Sequence, residues 1–202
     1  MSKTNIFFFL LAFFSLLSFA QDNNKDIDNF RNKGYFNITK ISFITVHELK
    51  RDFFVPGEGG FYSDLDNSKA HAWGLQTING YFISPHFSLG VGLGLDGHHN
   101  PNYNTLPVFL DARAYFAEER NSFYSYIDIG PTIKIGGENS ELRKGVLFNI
   151  GIGYKFNVAK RFFLVSDIFY SHKTTSLTHE GIKTSDDVIK SNGIGVSIGV
   201  LF

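Results

Sequence analysis

The chain has 202 residues, 43% of them hydrophobic and 16% aromatic, with 23 Phe, 9 Tyr and 20 Gly. Lys and Arg together number 19, as do Asp and Glu, so charge gives no reason to expect a nucleic-acid partner. Cysteine is absent, which excludes disulfides, and past the first stretch no window approaches the ~20 apolar residues of a spanning helix.

Lys3 opens a positive start, Ile6 to Leu17 form an apolar run interrupted by Ser15, and Ser18-Phe19-Ala20 supplies the small residues of a cleavage site. Residues 1–20 read as an export signal, too short and wrongly flanked for a membrane anchor. No cysteine lies near the site, so a lipoprotein anchor is not expected. Removing Lys3 with the signal leaves 18 basic against 19 acidic residues. Residues 21–33, rich in Asn and Asp, read as a loose periplasmic lead-in, and residues 34–202 as one β-domain.

The rest alternates between strands and turns. Strands are predicted at Tyr35–Val46, Ala72–Ile83, Phe87–Asp96, Leu106–Phe116, Phe123–Ile135, Val146–Phe156, Phe162–Ser171 and Asn192–Phe202. Each is long enough to span a bilayer as a tilted strand of about 9–11 residues. Short connections (Ser84–His86, Ala117–Ser122, Asn157–Arg161) alternate with long polar ones (His47–His71, Gly97–Thr105, Gly136–Lys144, His172–Ser191). With both termini in the periplasm, the short set forms periplasmic turns and the long set surface loops.

Several strands declare their faces. Phe87, Leu89, Val91, Leu93 and Leu95 oppose Ser88, Gly90, Gly92, Gly94 and Asp96. Ile127, Ile129, Ile133 and Ile135 oppose Tyr124, Tyr126, Asp128, Gly130, Thr132 and Lys134. In the next strand Phe148, Ile150, Ile152 and Tyr154 oppose Asn149, Gly151, Gly153 and Lys155. The last strand places Ile194, Val196, Ile198, Val200 and Phe202 against Gly195, Ser197 and Gly199. The first, second and seventh strands are mixed, and a bulge in each would explain it.

A soluble lipocalin-like barrel turns its apolar face inward, whereas a membrane barrel turns it outward. Phe87, Phe116, Phe123, Phe156, Phe162 and Phe202 all sit beside expected periplasmic turns or the chain end, as an interfacial girdle requires. The opposite face carries Asp111, Arg113, Asp128, Lys134 and Lys155, suited to a salt-bridged interior. The expectation is an all-β, eight-stranded antiparallel up-and-down transmembrane barrel.

The segments 80–94 (GYFISPHFSLGVGLG), 106–113 (LPVFLDAR) and 149–156 (NIGIGYKF) resemble strands and turns of small outer-membrane β-barrel proteins of the OmpA/OmpX-like superfamily. The resemblance implies outer-membrane lipid and lipopolysaccharide as surroundings. It also implies that the barrel-assembly machinery reads the terminal Phe202. It carries no catalytic signature and implies no cofactor.

Three groups of residues attract a chemical reading. Asp111, Arg113, Asp128 and Lys134 would form a lumen polar network; an eight-stranded interior is filled by its own side chains, which favours a packed polar core over a pore. Of 7 His, all but His86 fall toward the extracellular end, and the adjacent His98 and His99 are the weak metal candidates, although their spacing is not of ligand type. His172 with Thr174, and Glu180 to orient the base, would suit acyl transfer of the lipid A deacylase kind, against the simpler reading of a polar surface loop. Asp186 and Asp187 are further acids within reach. The expected role is therefore structural or surface recognition through Glu48–Ala70 and Lys173–Lys190, with Glu58-Gly59-Gly60-Phe61-Tyr62 offering exposed aromatics. A lipid A-modifying enzyme and a small-solute or hydrophobic transport barrel are the alternatives.

Overall fold

The alternation of large apolar with small or polar residues permits one face in hydrocarbon and one in a crowded interior, and closing the sheet removes its edges. The computed structural model describes residues 32–55, 58–136, 142–177 and 187–202. These described residues form nine antiparallel strands: β1 (Gly34–Val55), β2 (Gly59–Asp64), β3 (His71–Ser84), β4 (Phe87–His99), β5 (Tyr103–Tyr115), β6 (Ser122–Gly136), β7 (Leu142–Ala159), β8 (Phe162–Leu177) and β9 (Val188–Leu201). Each barrel strand pairs with its neighbour, and β1 pairs with β9 from Ile38↔Leu201 to Asp52↔Val188, closing an eight-stranded barrel.

The ninth strand corrects the expectation of a loop over His47–His71. β1 runs past the membrane to Val55 and turns back as β2, with Lys50↔Asp64 through Val55↔Gly59 in register. Cross-strand stacking of Phe53 on Phe61 (5.8 Å, 25°) joins the two arms of this hairpin, and Arg51 of the same strand lies over the Phe53 ring (5.7 Å). The same extension occurs in β8 and β9, which continue to Leu177 and start at Val188.

The faces follow the alternation. Leu89, Val91, Leu93, Ile127, Ile129, Ile150, Ile152, Val196 and Ile198 are exposed on the outer wall, as are Phe87, Phe116, Phe123, Phe156 and Phe202 at its lower rim. Phe162 is half-buried. Phe43 and Trp73, with rings 4.6 Å apart, and Tyr170 mark the upper rim. An apolar belt between two aromatic girdles is the surface of a barrel in a bilayer.

The mixed strands have two causes. Bulges do occur, between Val46 and Glu48 in the middle of β1 and between Phe82 and Ser84 near the end of β3, but both lie at or beyond the edge of the stretches that read as mixed. The β8–β9 ladder has none. Those strands look mixed because Phe36, Ile38, Ile44, Phe163, Val165 and Phe169 turn inward and fill the lumen alongside the polar residues. Two prolines interrupt the wall. β4–β5 pairing skips from Leu93↔Val108 to Asp96↔Thr105 around Pro107, and β5–β6 pairing from Pro107↔Thr132 to Leu110↔Ile129 around Pro131, since proline has no N–H to give the ladder.

Candidate functional site

The lumen is built in layers. At mid-height Arg113 on β5 is fully enclosed and forks onto Asp111 two residues before it, with Nε 2.9 Å from Oδ1 and Nη2 2.9 Å from Oδ2. Its guanidinium lies over the rings of Tyr124 (5.2 Å) and Tyr126 (4.9 Å). Asp128 on β6 stands in direct register with Asp111 and accepts from Asn149 at 3.4 Å. Three of the four residues expected in a lumen network thus meet. Lys134 shares the inward face of β6 but sits six residues beyond Asp128, about 20 Å along the strand.

Two residues complete this layer that sequence reasoning missed. Asp167 on β8 accepts from the hydroxyls of Tyr126 (2.8 Å), Tyr124 (3.0 Å) and Ser197 (2.7 Å). Lys40 on β1 lies 3.9 Å from Asp167 and 4.4 Å from the centre of the Tyr126 ring. Both occupy strands whose faces the alternation left ambiguous. A charged residue in a strand otherwise bound for lipid was the available signal, because it can only turn inward.

Aromatic rings pack into glycine gaps around these charges. A Cβ on Gly92 would stand 2.2 Å from Phe109, and one on Gly195 2.4 Å from Phe169. Gly151 and Gly153 likewise make room for Tyr126 and Tyr124. Below, Phe36, Phe82, Tyr115 and Tyr124 form a run of tilted rings with centroids 4.8–5.7 Å apart. Lys155 lies over Phe163 (4.9 Å) and donates to Asn32. Above, Asp96 and Lys173 form a buried pair at 2.5 Å. Leu49, Tyr103, Leu142, Leu177 and Ile189 cap that pair. Charged, aromatic and apolar layers thus follow one another up the lumen among the described residues.

The extracellular rim separates the other candidates. His98 and His99 fall on opposite faces, because successive strand residues alternate. His98 points inward, stacked on Tyr103 at 4.2 Å and 3.3 Å from Thr105 Oγ1. His99 points outward, its ring 4.9 Å from that of His71, whose Nδ1 meets the Lys69 carbonyl at 2.8 Å. The adjacent pair therefore cannot share a metal, and among the described residues no three or more His, Cys, Asp or Glu are placed to hold a metal ion.

His172 and Thr174 both face outward on β8, just above Tyr170. Thr174 Oγ1 accepts the Val146 N–H at 3.2 Å, whereas the His172 ring meets the Asn192 carboxamide on β9. Asn192 in turn donates to Glu48 on β1, which pairs with Lys50. The group that orients His172 is therefore Asn192, backed by Glu48. Asp187 is held by Arg51 at 2.6 Å, and Glu180 and Asp186 lie outside the described residues. The Lys50 ammonium first, and then the Asn192 amide, hold the Glu48 carboxyl below the ordinary glutamate range; Glu48 reciprocally raises Lys50.

No known family matches the chain, and no curated protein does. Among solved structures, the outer membrane protein OprG from Pseudomonas aeruginosa aligns over 85% of this chain and 96% of its own, with 11% identity and a TM-score of 0.54. Neisserial surface protein A aligns over 84% and 100%, with 13% identity and a TM-score of 0.51. Outer membrane protein AlkL aligns over 90% and 95%, with 15% identity and a TM-score of 0.50. With its apolar outer belt, closed ladder and filled interior, the chain has the fold of the small eight-stranded outer-membrane β-barrel proteins.

Proposed function

We propose that this protein is a non-conducting, non-enzymatic barrel of the outer membrane that displays the β1–β2 hairpin to a partner at the cell surface. The observation that carries the reading is the contrast between interior and rim. The lumen is filled by ion-paired and aromatic layers, while the hairpin above the bilayer leaves Phe54, Phe61 and Tyr62 exposed, Tyr62 by 77%. Exposed aromatics on a rigid two-stranded support lose little entropy when they bind. Replacing residues 52–62 by a short Gly-Ser turn tests this. With a photoreactive residue at position 64, which both chains keep, the variant is expected to retain its heat-modifiable migration and to lose the surface cross-links that the intact hairpin forms. Unchanged cross-linking from another loop in that variant, or stable open steps of the wild type in planar bilayers, overturns the reading.

A lipid A acyl hydrolase is the second reading, favoured by the His172–Asn192–Glu48 chain on the outer wall just above the upper aromatic girdle. A carboxamide fixed by a carboxylate would set the imidazole tautomer and leave the other ring nitrogen toward the lipid. Mass spectrometry of lipid A from cells with and without the gene decides between the two, a changed acyl count favouring the enzyme.

A further inference from the structure

The apolar belt is interrupted on one wall. Asn37 and Thr39 of β1 face outward in register with Asn79 and Thr77 of β3, forming a two-by-two polar square. Asn37 donates from Nδ2 to Thr77 Oγ1 (3.1 Å) and Asn79 Oδ1 (2.9 Å). Thr39 lies 3.1 Å from Asn37 Oδ1 and 3.3 Å from Thr77 Oγ1, and the Tyr35 hydroxyl also donates to Asn79 Oδ1. The square sits between Tyr81 below and Leu75 and Trp73 above on β3. At ~3.4 Å per residue and a tilt near 40°, Asn79 and Thr77 lie about 5 and 10 Å above the Tyr81 girdle, inside the hydrocarbon. In-register neighbours are Val91, Leu93 and Val200, all apolar.

Within the square Asn79 Oδ1 and Thr77 Oγ1 each accept two bonds, whereas Asn37 Oδ1 accepts one and Thr39 Oγ1 none, so neither acceptors nor donors are exhausted. Both hydrogens of Asn79 Nδ2 lack an acceptor among the described residues, and Asn79 is exposed. In hydrocarbon an unmet N–H is expensive, and acyl chains offer nothing to accept it. Polar groups facing lipid are accordingly expected at helix or barrel contacts, where a neighbour completes their bonds.

We propose that the β1–β3 wall is where two copies of this chain associate side by side in the membrane. The occupant is argued from the chemistry of the patch. It is uncharged, so it does not select lipid phosphate. A carboxamide carries donor and acceptor together and is its own complement, so the patch can pair with itself. A twofold axis along the membrane normal brings the two squares face to face while keeping both barrels in the same orientation.

The chain has no cysteine, which makes the test direct. Leu75→Cys lies on the outer wall beside the square, and Ile129→Cys lies on β6 across the barrel. Treating native outer membranes with a short bis-maleimide is expected to give a cross-linked product of twice the chain mass at Leu75→Cys, at least tenfold above Ile129→Cys. Adding Asn37→Leu and Asn79→Leu is expected to lower that product at least fivefold. Thr39→Val with Thr77→Val, which is isosteric, is the companion variant should the first fail to reach the heat-modifiable folded form. Equal cross-linking at both cysteine positions, a product of any other mass, or an undiminished dimer in folded patch variants overturns the proposal.

Discussion

Arg113→Met tests whether buried ion pairing holds the barrel. Arg113 and Asp111 side chains are fully enclosed, and Asp128 faces Asp111 in direct register. The enclosed layer holds two cations, Lys40 and Arg113, and three acids, Asp111, Asp128 and Asp167. Removing Arg113 leaves Asp111 without its fork and beside another carboxyl, and it strips the cation from the faces of Tyr124 and Tyr126. Breaking one partner of such a pair costs about 3–5 kcal/mol. At a urea dependence of about 2 kcal/mol per molar, the unfolding midpoint falls by about 1.5–2.5 M. The single Trp, Trp73, sits at the upper girdle and reports unfolding from lipid vesicles by its fluorescence. Replacing both partners, Asp111→Leu with Arg113→Met, is expected to recover most of the loss, because two apolar side chains leave no charge stranded. A single variant within 0.5 M of wild type, or a double variant as weak as the single, refutes the account of the lumen as a paired polar core.

Gly92→Ala forces Phe109 from its seat and should destabilise by about 1–3 kcal/mol; Phe109→Leu in the same chain should relieve part of this, read as a coupling in a double-mutant cycle. Leu142→Ala with Leu177→Ala thins the apolar cap, yet planar-bilayer recordings should still show no stable open steps, because the Asp96–Lys173 and Arg113 layers lie beneath. The Glu48 carboxyl should titrate below an unpaired glutamate when followed by NMR. Its folded value is depressed, so the contribution of its bonds to Lys50 and Asn192 is complete above the ordinary glutamate range and is lost as pH falls through that lower value. Lys50→Ala should move the titration back up. His172→Ala should leave the acyl count of lipid A unchanged, and a changed count would instead establish the hydrolase reading.

The sequence by itself determined the wall. In β4, β6, β7 and β9 a strict alternation of Leu, Ile and Val with Gly, Ser, Tyr and Asp allows one arrangement in a bilayer, since the large apolar set has nowhere else to go. The lower aromatic girdle, from Phe87 to Phe202, was legible for the same reason. Tertiary structure alone decided what meets inside. Lys40 and Asp167 come from strands far apart in the chain, in β1 and β8, and only barrel closure through β1 and β9 brings them together. It also gave His172 to Asn192 instead of Thr174, and folded the first loop back as β2. Those outcomes depend on cross-strand register, which is fixed by the whole closed ladder and is absent from any single segment.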